Sequence, residues 1–526
     1  MEGGEAGRGG SRELCRCWLV RGDVAAFQND PGVSAASGRA VRAVSGTALI
    51  ASVLLLCLFG ECKGARQSGA FGAILSEVGA AASDLGTQWM VFVCASLYFL
   101  TFVILRRRLA AAGEELWLRE PAYWVVGLIA LSALAYTLDY SQAVKSGQAL
   151  TLIGVAMLGQ GAALWEGRRK NAEGRNQFSG TVAGVLIVLL AGAAVWHGEA
   201  GHLFEYHGQA RWAGPWESPN TFGVLMGAGA VLAVGLLVQS PRSKDQSRPN
   251  AEGRKRSLRS RVQRLKSIAQ QGLLLAAAGV MGWGLIKSYS RGAWLGAVVG
   301  LGLLVVQSSR FKAQGSRLKG QLALGVVIVS LGVLAFWGFR QVERGMVRRA
   351  YSAANANDFS WRNRVAAYEG ALQMIAERPW FGLGWNQPER MYDQYYRAAK
   401  VDEGMAIQMN DYFTLGTTLG VPGLVCFVMY VGLSLRGSPK SKVQSPRSEV
   451  QGPTNAGQQP EDGRQRTELP APPTLDLRLW TLDCAAVCRA GAVVLLVGFW
   501  FDGGLFKLAT GATFWILLEL GREDPE

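Results

Sequence analysis

Three arginines at the edges of apolar runs are the clearest candidates for chemistry. Arg211 lies just before one apolar run, Arg291 lies at the start of another, and Arg364 lies in a long loop on a segment with helical spacing. A guanidinium group stays charged and presents a planar fork to phosphate oxygens. Together on one membrane face the three predict a diphosphate-binding site, whereas singly each would reach out to lipid headgroups.

Few groups in the same regions could accept a proton. Asp411 stands at the start of an apolar run, where a carboxylate serves either as a general base or as a helix cap. His207 is the histidine closest in sequence to Arg211, and it is the second candidate base, ahead of Glu205 and Glu217.

The sequence predicts no metal or cofactor site. Its histidines are His197, His202 and His207, and a spacing of five does not place them on one face of a helix. The eight cysteines form no CxxC pair, so we interpret them as small apolar residues.

The elements that must position these groups are membrane spans. The chain has 526 residues, of which 49% are apolar and only 18% are charged, and the charges are bunched between long apolar runs. This pattern excludes a secreted soluble enzyme, a disulfide scaffold and a disordered chain. The net charge of +15 lies in the loops, which favours membrane topology and anionic lipid as its partner over nucleic acid.

Apolar runs of suitable length predict an all-α integral membrane protein with about twelve transmembrane helices. The runs lie near 44–60, 89–105, 122–138, 149–165, 179–196, 221–238, 272–286, 292–307, 321–339, 412–435, 485–501 and 505–520. The resulting order is a tail (1–43), spans one to nine (44–339), a large loop subdomain (340–411), span ten (412–435), a flexible linker (436–480) and two final spans (485–520).

Lys and Arg concentrate in alternate loops, which predicts that both termini and the linker are cytoplasmic. The most basic connection, 239–271, is expected to be a loop held against anionic lipid. The three candidate arginines then share the external face. On that face the 340–411 subdomain is rich in aromatic residues, and Val365, Leu372 and Ile375 recur in it at helical spacing.

Three segments of the chain together resemble the O-antigen ligase and polymerase family of bacterial membrane proteins. They are Gly214–Gly223, with Pro219 and Asn220; Ser290–Leu295, which reads Ser-Arg-Gly-Ala-Trp-Leu; and Arg364–Gly423, with Arg378–Gly384 and Asn410–Tyr412 inside it.

The Phe381–Trp385 stretch is predicted to be a turn, because it lacks the lysine and the preceding strand of a nucleotide-binding loop.

The resemblance implies a function. Family members transfer a glycan from an undecaprenyl-diphosphate carrier to a hydroxyl of a lipid or polysaccharide acceptor at the outer face of the inner membrane, and no metal is expected. Arg211 and Arg291 would bind the diphosphate, and Arg364 would act with them at the reacting centre. Pro219, Asn220, Ser290 and Asn410 would be supporting motif positions.

The chain departs from the family pattern where a His-Asn pair is usual, because Met409 precedes Asn410. Thr418 likewise stands where a Glu is common. A thioether cannot take a proton, so the base lies elsewhere, with Asp411 and His207 as candidates, or the chain is inactive. Three hypotheses therefore remain: a ligase, a polymerase of the same family, and a non-catalytic membrane protein that binds or moves lipid-linked glycans.

Overall fold

The computed structural model describes residues 50–59, 121–138, 147–167, 172–200, 203–206, 209–216, 218–239, 253–310, 359–385, 387–397, 410–436, 484–501 and 503–522. All of them belong to one compact unit that covers Ile50–Gln465 and Asp476–Glu526. The predicted tail, the linker beyond residue 436 and the predicted spans near 89–105 and 321–339 lie outside the described residues.

The described part is mainly helical. Its helices are α1 (Ile50–Phe59), α2 (Pro121–Leu138), α3 (Gly147–Gly167), α4 (Ala172–Ala200), α5 (Pro219–Gln239), α6 (Gly253–Lys287), α7 (Arg291–Arg310), α8 (Phe359–Glu377), α9 (Gln387–Met391), α10 (Asp411–Leu435), α11 (Cys484–Phe501) and α12 (Leu508–Leu520). A π-helical turn, Tyr392–Tyr396, follows α9. An antiparallel hairpin of β1 (Leu203–Tyr206) and β2 (Gln209–Trp212) lies between α4 and α5.

An all-α membrane architecture is thus confirmed in outline. Ten of the predicted runs coincide with described helices, and five helices are long and apolar enough to cross a membrane: Phe178–Trp196, Pro219–Val238, Leu265–Lys287, Asp411–Leu435 and Cys484–Phe501. Two features differ from the sequence prediction. The β-hairpin was not foreseen, and α6 begins at Gly253, so much of the basic segment predicted as a loop is helical.

Helix α5 lies at the centre of the bundle, where it packs against α6, α7 and α11. It is apolar on all sides, as a helix surrounded by protein must be. By contrast α6 leaves Leu265, Ile268, Leu273 and Leu275 exposed, which is the pattern of a helix with one side toward lipid.

Small residues let α7 and α11 approach closely. A Cβ at Gly296 would lie 2.7 Å from the carbonyl oxygen of Val494, and one at Gly300 would lie 3.0 Å from that of Ala490. Because lipid gives no hydrophobic drive for helix association, close backbone packing of this kind is a main source of cohesion in a membrane bundle.

Helix α10 is broken part-way along its length. Gly420 has a φ of 73°, outside the helical region, and Pro422 follows in the next turn. A proline removes a backbone donor and frees carbonyl groups of the preceding turn. Such groups must find other partners inside a membrane protein.

The connection after α8 supplies those partners. Three backbone hydrogen bonds join it to the break: Leu383 N–H donates to the Thr417 carbonyl (2.8 Å), Gly384 N–H donates to the Thr418 carbonyl (3.1 Å), and Val421 N–H donates to the Pro379 carbonyl (2.7 Å). The Phe381–Trp385 segment is therefore the turn that the sequence predicted. It braces a transmembrane helix, and Thr418 is buried beneath it.

The helix predicted in the 340–411 loop is present as α8, but it buries a different face. Val365 and Leu372 are exposed, whereas Ala367, Ala371 and Met374 are buried against Tyr392. The Tyr392 ring lies close to this face, since a Cβ at Gly370 would lie 2.7 Å from its Cε2. The helical spacing predicted the helix, and the packing shows which of its faces is buried.

A buried polar cluster holds the opposite end of the bundle. The Glu519 carboxylate on α12 accepts hydrogen bonds from Gln160 on α3 and Tyr430 on α10, and its other oxygen lies 3.6 Å from Arg522. A carboxylate with 1% exposure requires such partners. The cluster links three helices far from the arginine motifs.

We expect Gly420→Ala to destabilise the protein. Its Cβ would lie 2.6 Å from the Pro379 carbonyl oxygen, at a φ of 73°. The strain and the displaced loop should together cost about 1–3 kcal/mol, measured as a lower midpoint of thermal unfolding in detergent. Gly432→Ala in the same helix, where nothing lies within 4 Å, is the matched control and should be neutral. Equal midpoints for the two variants would contradict the bracing role of the loop.

Candidate functional site

The segments that carry the arginine motifs meet at one end of the bundle. They gather around the connection between α11 and α12, residues 500–507, which we call the C-terminal corner; Asp502 within it is outside the described residues. No candidate residue predicted from the sequence lies in this corner.

Arg211 leaves strand β2 and is buried to 7% exposure. Its Nε donates to the carbonyl oxygen of Ser288 at 3.0 Å, and its Nη2 donates to Oδ1 of Asn220 at 2.8 Å. These bonds join the hairpin, the first turn of α5 and the α6–α7 turn. A buried guanidinium needs such acceptors, so part of the Arg211 fork is engaged in holding three segments together.

The α6–α7 turn, Ser288–Ser290, is stabilised by its own hydroxyl groups. Ser288 Oγ accepts from the Ser290 N–H (3.2 Å), and Ser290 Oγ accepts from the Ala293 N–H (3.4 Å), which makes Ser290 the cap of α7. Between them Tyr289 has a φ of 51°, a left-handed conformation that is rare for a residue other than glycine. The strained turn orients the first residue of α7.

That first residue is Arg291, and the next, Gly292, fixes its position. A Cβ at Gly292 would lie 2.6 Å from Cβ of Phe501, so the start of α7 is pressed against the C-terminal corner. Arg291 is half-buried at this junction. The sequence prediction that residues 272–307 form two helices with a turn between them agrees with this geometry.

Arg364 is brought to the same corner through its helical neighbour. It is half-buried on α8, one turn before Tyr368. The Tyr368 ring lies 4.9 Å from the Phe413 ring on α10 and 6.2 Å from the Trp500 ring on α11, measured between centroids. The neighbours of the two arginines, Gly292 and Tyr368, therefore contact consecutive residues, Phe501 and Trp500, at the end of α11.

Asp411 contacts the C-terminal corner and does not cap α10. The cap is Asn410, whose Oδ1 accepts from the Tyr412 and Phe413 N–H groups at 3.0 and 3.3 Å. Oδ2 of Asp411, which is 2% exposed, accepts from the N–H groups of Gly504 and Leu505, both at 2.6 Å. The interpretation of Asp411 as a helix cap was wrong, because the neighbouring amide already fills that role.

Lys507 adds a cation that the sequence analysis missed. Its Nζ lies 3.2 Å from Oγ1 of Thr221, the residue after Asn220. The signal available in the sequence was the Gly503-Gly504 pair with a lone lysine between two apolar runs, a pattern easily taken for an ordinary turn.

Residues 276–428 match the family model described as O-antigen ligase. This segment is an O-antigen ligase domain. The match confirms the resemblance inferred from the motifs over this segment, and it supports a ligase- or polymerase-type role in surface polysaccharide assembly. No curated protein matches the chain.

The O-antigen ligase domain contains Ser290, Arg291, Arg364, Asn410 and Asp411 but not every residue of the site. Arg211, Pro219 and Asn220 precede it, and the C-terminal corner follows it. The hydrogen bonds of Arg211 and of Asp411 connect these flanking parts to the domain. The matched segment alone would therefore omit the β2–α5 segment and the C-terminal corner.

Several predicted residues lie outside the described part or lack a described side chain. Glu217 and Met409 are outside the described residues, and so is His207, which lies between β1 and β2. Glu205 is in β1, opposite Ala210. Among the residues that the structure describes, no group of three His, Cys, Asp or Glu side chains could hold a metal ion.

Two tyrosines beside α8 have pKa values above the usual value of a phenol. Burial raises the pKa of Tyr392. The hydrogen bond that Tyr396 donates to the Glu377 carboxylate raises the pKa of Tyr396. Both phenols remain protonated at neutral pH, so neither supplies the missing base.

We expect Gly292→Ala to loosen the site from the C-terminal corner. The added methyl would meet Cβ of Phe501 at 2.6 Å, and such overpacking costs about 1–3 kcal/mol. The measurement is the thermal midpoint in detergent. Gly302→Ala on the same helix, with nothing within 4 Å, is the control and should behave as wild type. A wild-type midpoint for Gly292→Ala would show that the contact is not needed.

Proposed function

We propose that this protein transfers a glycan from an undecaprenyl-diphosphate donor to a hydroxyl acceptor at the outer face of the bacterial inner membrane. The acceptor oxygen attacks the anomeric carbon, and the bond from that carbon to the diphosphate oxygen breaks. Undecaprenyl diphosphate leaves, and the hydroxyl proton passes to a base. The acceptor is a lipid or a growing polysaccharide, so both the ligase and the polymerase remain candidates within this proposal.

The observation that carries the proposal is the convergence of cationic segments at the C-terminal corner. Arg211 is tied to the turn that precedes Arg291, and the segments that carry Arg291 and Arg364 contact the end of α11 through Gly292 and Tyr368. A leaving diphosphate gains negative charge as the glycosidic bond breaks, and fixed cations in a site with little water stabilise that charge. Arg291 and Arg364 are assigned to the diphosphate and the reacting centre.

Arg211 is assigned a double role. Its Nε and Nη2 bonds position the Ser288–Ser290 turn, and its charge adds to the potential felt by the donor. Asn220 and Ser290 support this arrangement, the first as an acceptor for Arg211 and the second as the cap of α7. Pro219 starts α5 in the position where a proline is best tolerated.

Asp411 and His207 remain the candidate bases in place of the usual histidine. Two amide bonds on Oδ2 stabilise the charged form of Asp411 and weaken it as a base, while they also give it a structural role. The rival hypothesis, a protein that binds lipid-linked glycans without turnover, is favoured by Met409 at the histidine position.

We expect Arg291→Ala and Arg364→Ala each to reduce glycan transfer by about 10²–10³-fold, as loss of one transition-state contact does. The assay uses purified protein, the undecaprenyl-diphosphate glycan of its host and candidate acceptors. Arg390→Ala, an exposed arginine on α9, is the matched control and should keep full activity. Full activity in both site variants would refute the diphosphate clamp.

The base is tested by a second set of variants. We expect Asp411→Asn to lower the transfer rate by about 10²-fold or more, since general-base catalysis contributes that much, whereas Met409→Ala should keep the wild-type rate. Donor binding that survives in Asp411→Asn would assign the loss to chemistry. If Asp411→Asn is active and His207→Ala is not, the base lies in the β-hairpin. If the wild type binds donor without turnover, the binding hypothesis replaces transfer.

A further inference from the structure

The C-terminal corner brings one more cation to the site. Lys507 lies outside the O-antigen ligase domain, immediately before α12, and its ammonium reaches Thr221 in the first turn of α5. Asn220, the preceding residue, accepts the hydrogen bond of Arg211. The ammonium and the guanidinium are thus held by consecutive residues at the same end of one helix.

The contact with Thr221 accounts for one of the three hydrogen-bond donors of the Lys507 ammonium. Within the described ranges the Lys507 side chain donates to one neutral hydroxyl at 3.2 Å. Lys507 is exposed, while Thr221 is buried to 6% exposure. A bond from an exposed lysine to a neutral hydroxyl adds little to folding. The lysine is oriented by this bond, and its other N–H donors are open to a ligand because the side chain is exposed.

The charge pattern around Lys507 suits a phosphate group. Lys507 directly precedes α12 and contacts the first turn of α5, and the N-terminal end of a helix carries partial positive charge. Lysine is a compact point charge on a flexible stem, so it can follow a phosphate that changes position during a reaction. Arg211, buried and tied to two acceptors, has much less freedom of this kind.

We propose that Lys507 is a donor-binding residue, whose ammonium binds a phosphate oxygen of the lipid-linked diphosphate while Thr221 orients the side chain in the empty site. This inference rests on the proposed function and extends it beyond the matched domain. The shared chemistry is a phosphate oxygen on a lipid, so the test must separate the polyprenyl diphosphate from ordinary anionic lipid.

The experiment measures binding of undecaprenyl diphosphate to the full-length protein in nanodiscs of phosphatidylcholine. We expect Lys507→Gln to raise the Kd about tenfold, the loss typical of one charge-assisted hydrogen bond. Lys507→Arg, which keeps the charge, should restore most of the affinity. The thermal midpoint of each variant is recorded in the same nanodiscs.

Thr221→Val separates donor binding from a purely structural contact. It keeps the shape of Thr221 and removes the acceptor of the Lys507 bond. If the lysine serves only to fasten α12 to α5, Thr221→Val and Lys507→Gln must have the same effect on midpoint and on Kd. Because Thr221 orients the lysine without contacting the donor, we expect Thr221→Val to weaken donor binding by about threefold, less than the tenfold loss expected for Lys507→Gln.

Lys287→Gln is the matched control for charge at this end of the bundle. Lys287 directly precedes Ser288, but its Nζ lies over the exposed Trp283 ring, 5.1 Å from the centroid. It should bind donor as wild type does. An equal loss in Lys287→Gln and Lys507→Gln would mean a general effect of net charge and would overturn the assignment.

Competition with phosphatidylglycerol distinguishes the two phosphate sources. If added phosphatidylglycerol displaces the donor from wild type but not from Lys507→Gln, the lysine binds headgroups and the assignment fails. Arg291→Ala is measured in parallel: lost binding there with wild-type binding in Lys507→Gln would refute the role of Lys507 and leave the proposed function standing. Absence of donor binding in the wild type would refute both.

Discussion

The pairing of the Asp411 carboxylate with two backbone amides is the constraint on which the site depends. Asp411 is nearly inaccessible, and an ionised carboxylate there requires strong donors. The N–H groups of Gly504 and Leu505 lie between two helices and have no helical carbonyl to bind. The carboxylate gains two donors and the two N–H groups gain an acceptor, so the start of α10 becomes fixed to the C-terminal corner. The same corner contains Trp500 and Lys507, which contact Phe413 and Thr221.

Irregular backbone is concentrated at this end of the protein and is satisfied by neighbouring segments. The break at Gly420 is covered by the connection after α8, and the left-handed Tyr289 is stabilised by serine hydroxyls on both sides. These features cost conformational energy. They persist because backbone groups left without partners in an apolar environment would cost more.

The same arrangement gives a physical basis for handling a lipid diphosphate. Arg211 is held by hydrogen bonds, and Arg291 and Arg364 lie on helices, so in the proposed transfer little reorganisation of these segments would be needed when a charged leaving group forms. The O-antigen ligase domain supplies Arg291, Arg364 and Asp411. Arg211 and Lys507 come from its two sides and are joined to it by hydrogen bonds within the bundle. The proposed site is therefore larger than the matched segment.

The sequence by itself determined the apolar helices, the turn at Ser290 and the family of residues 276–428, because these depend on composition and on short motifs. It predicted α8 but not its buried face, because helical periodicity separates apolar from polar residues and cannot separate a side chain packed on protein from one left exposed. Only the tertiary structure decided that Asp411 meets Gly504, which is 93 positions away, and that Lys507 meets Thr221, 286 positions away. No local pattern records such contacts, since they exist only after the helices have packed.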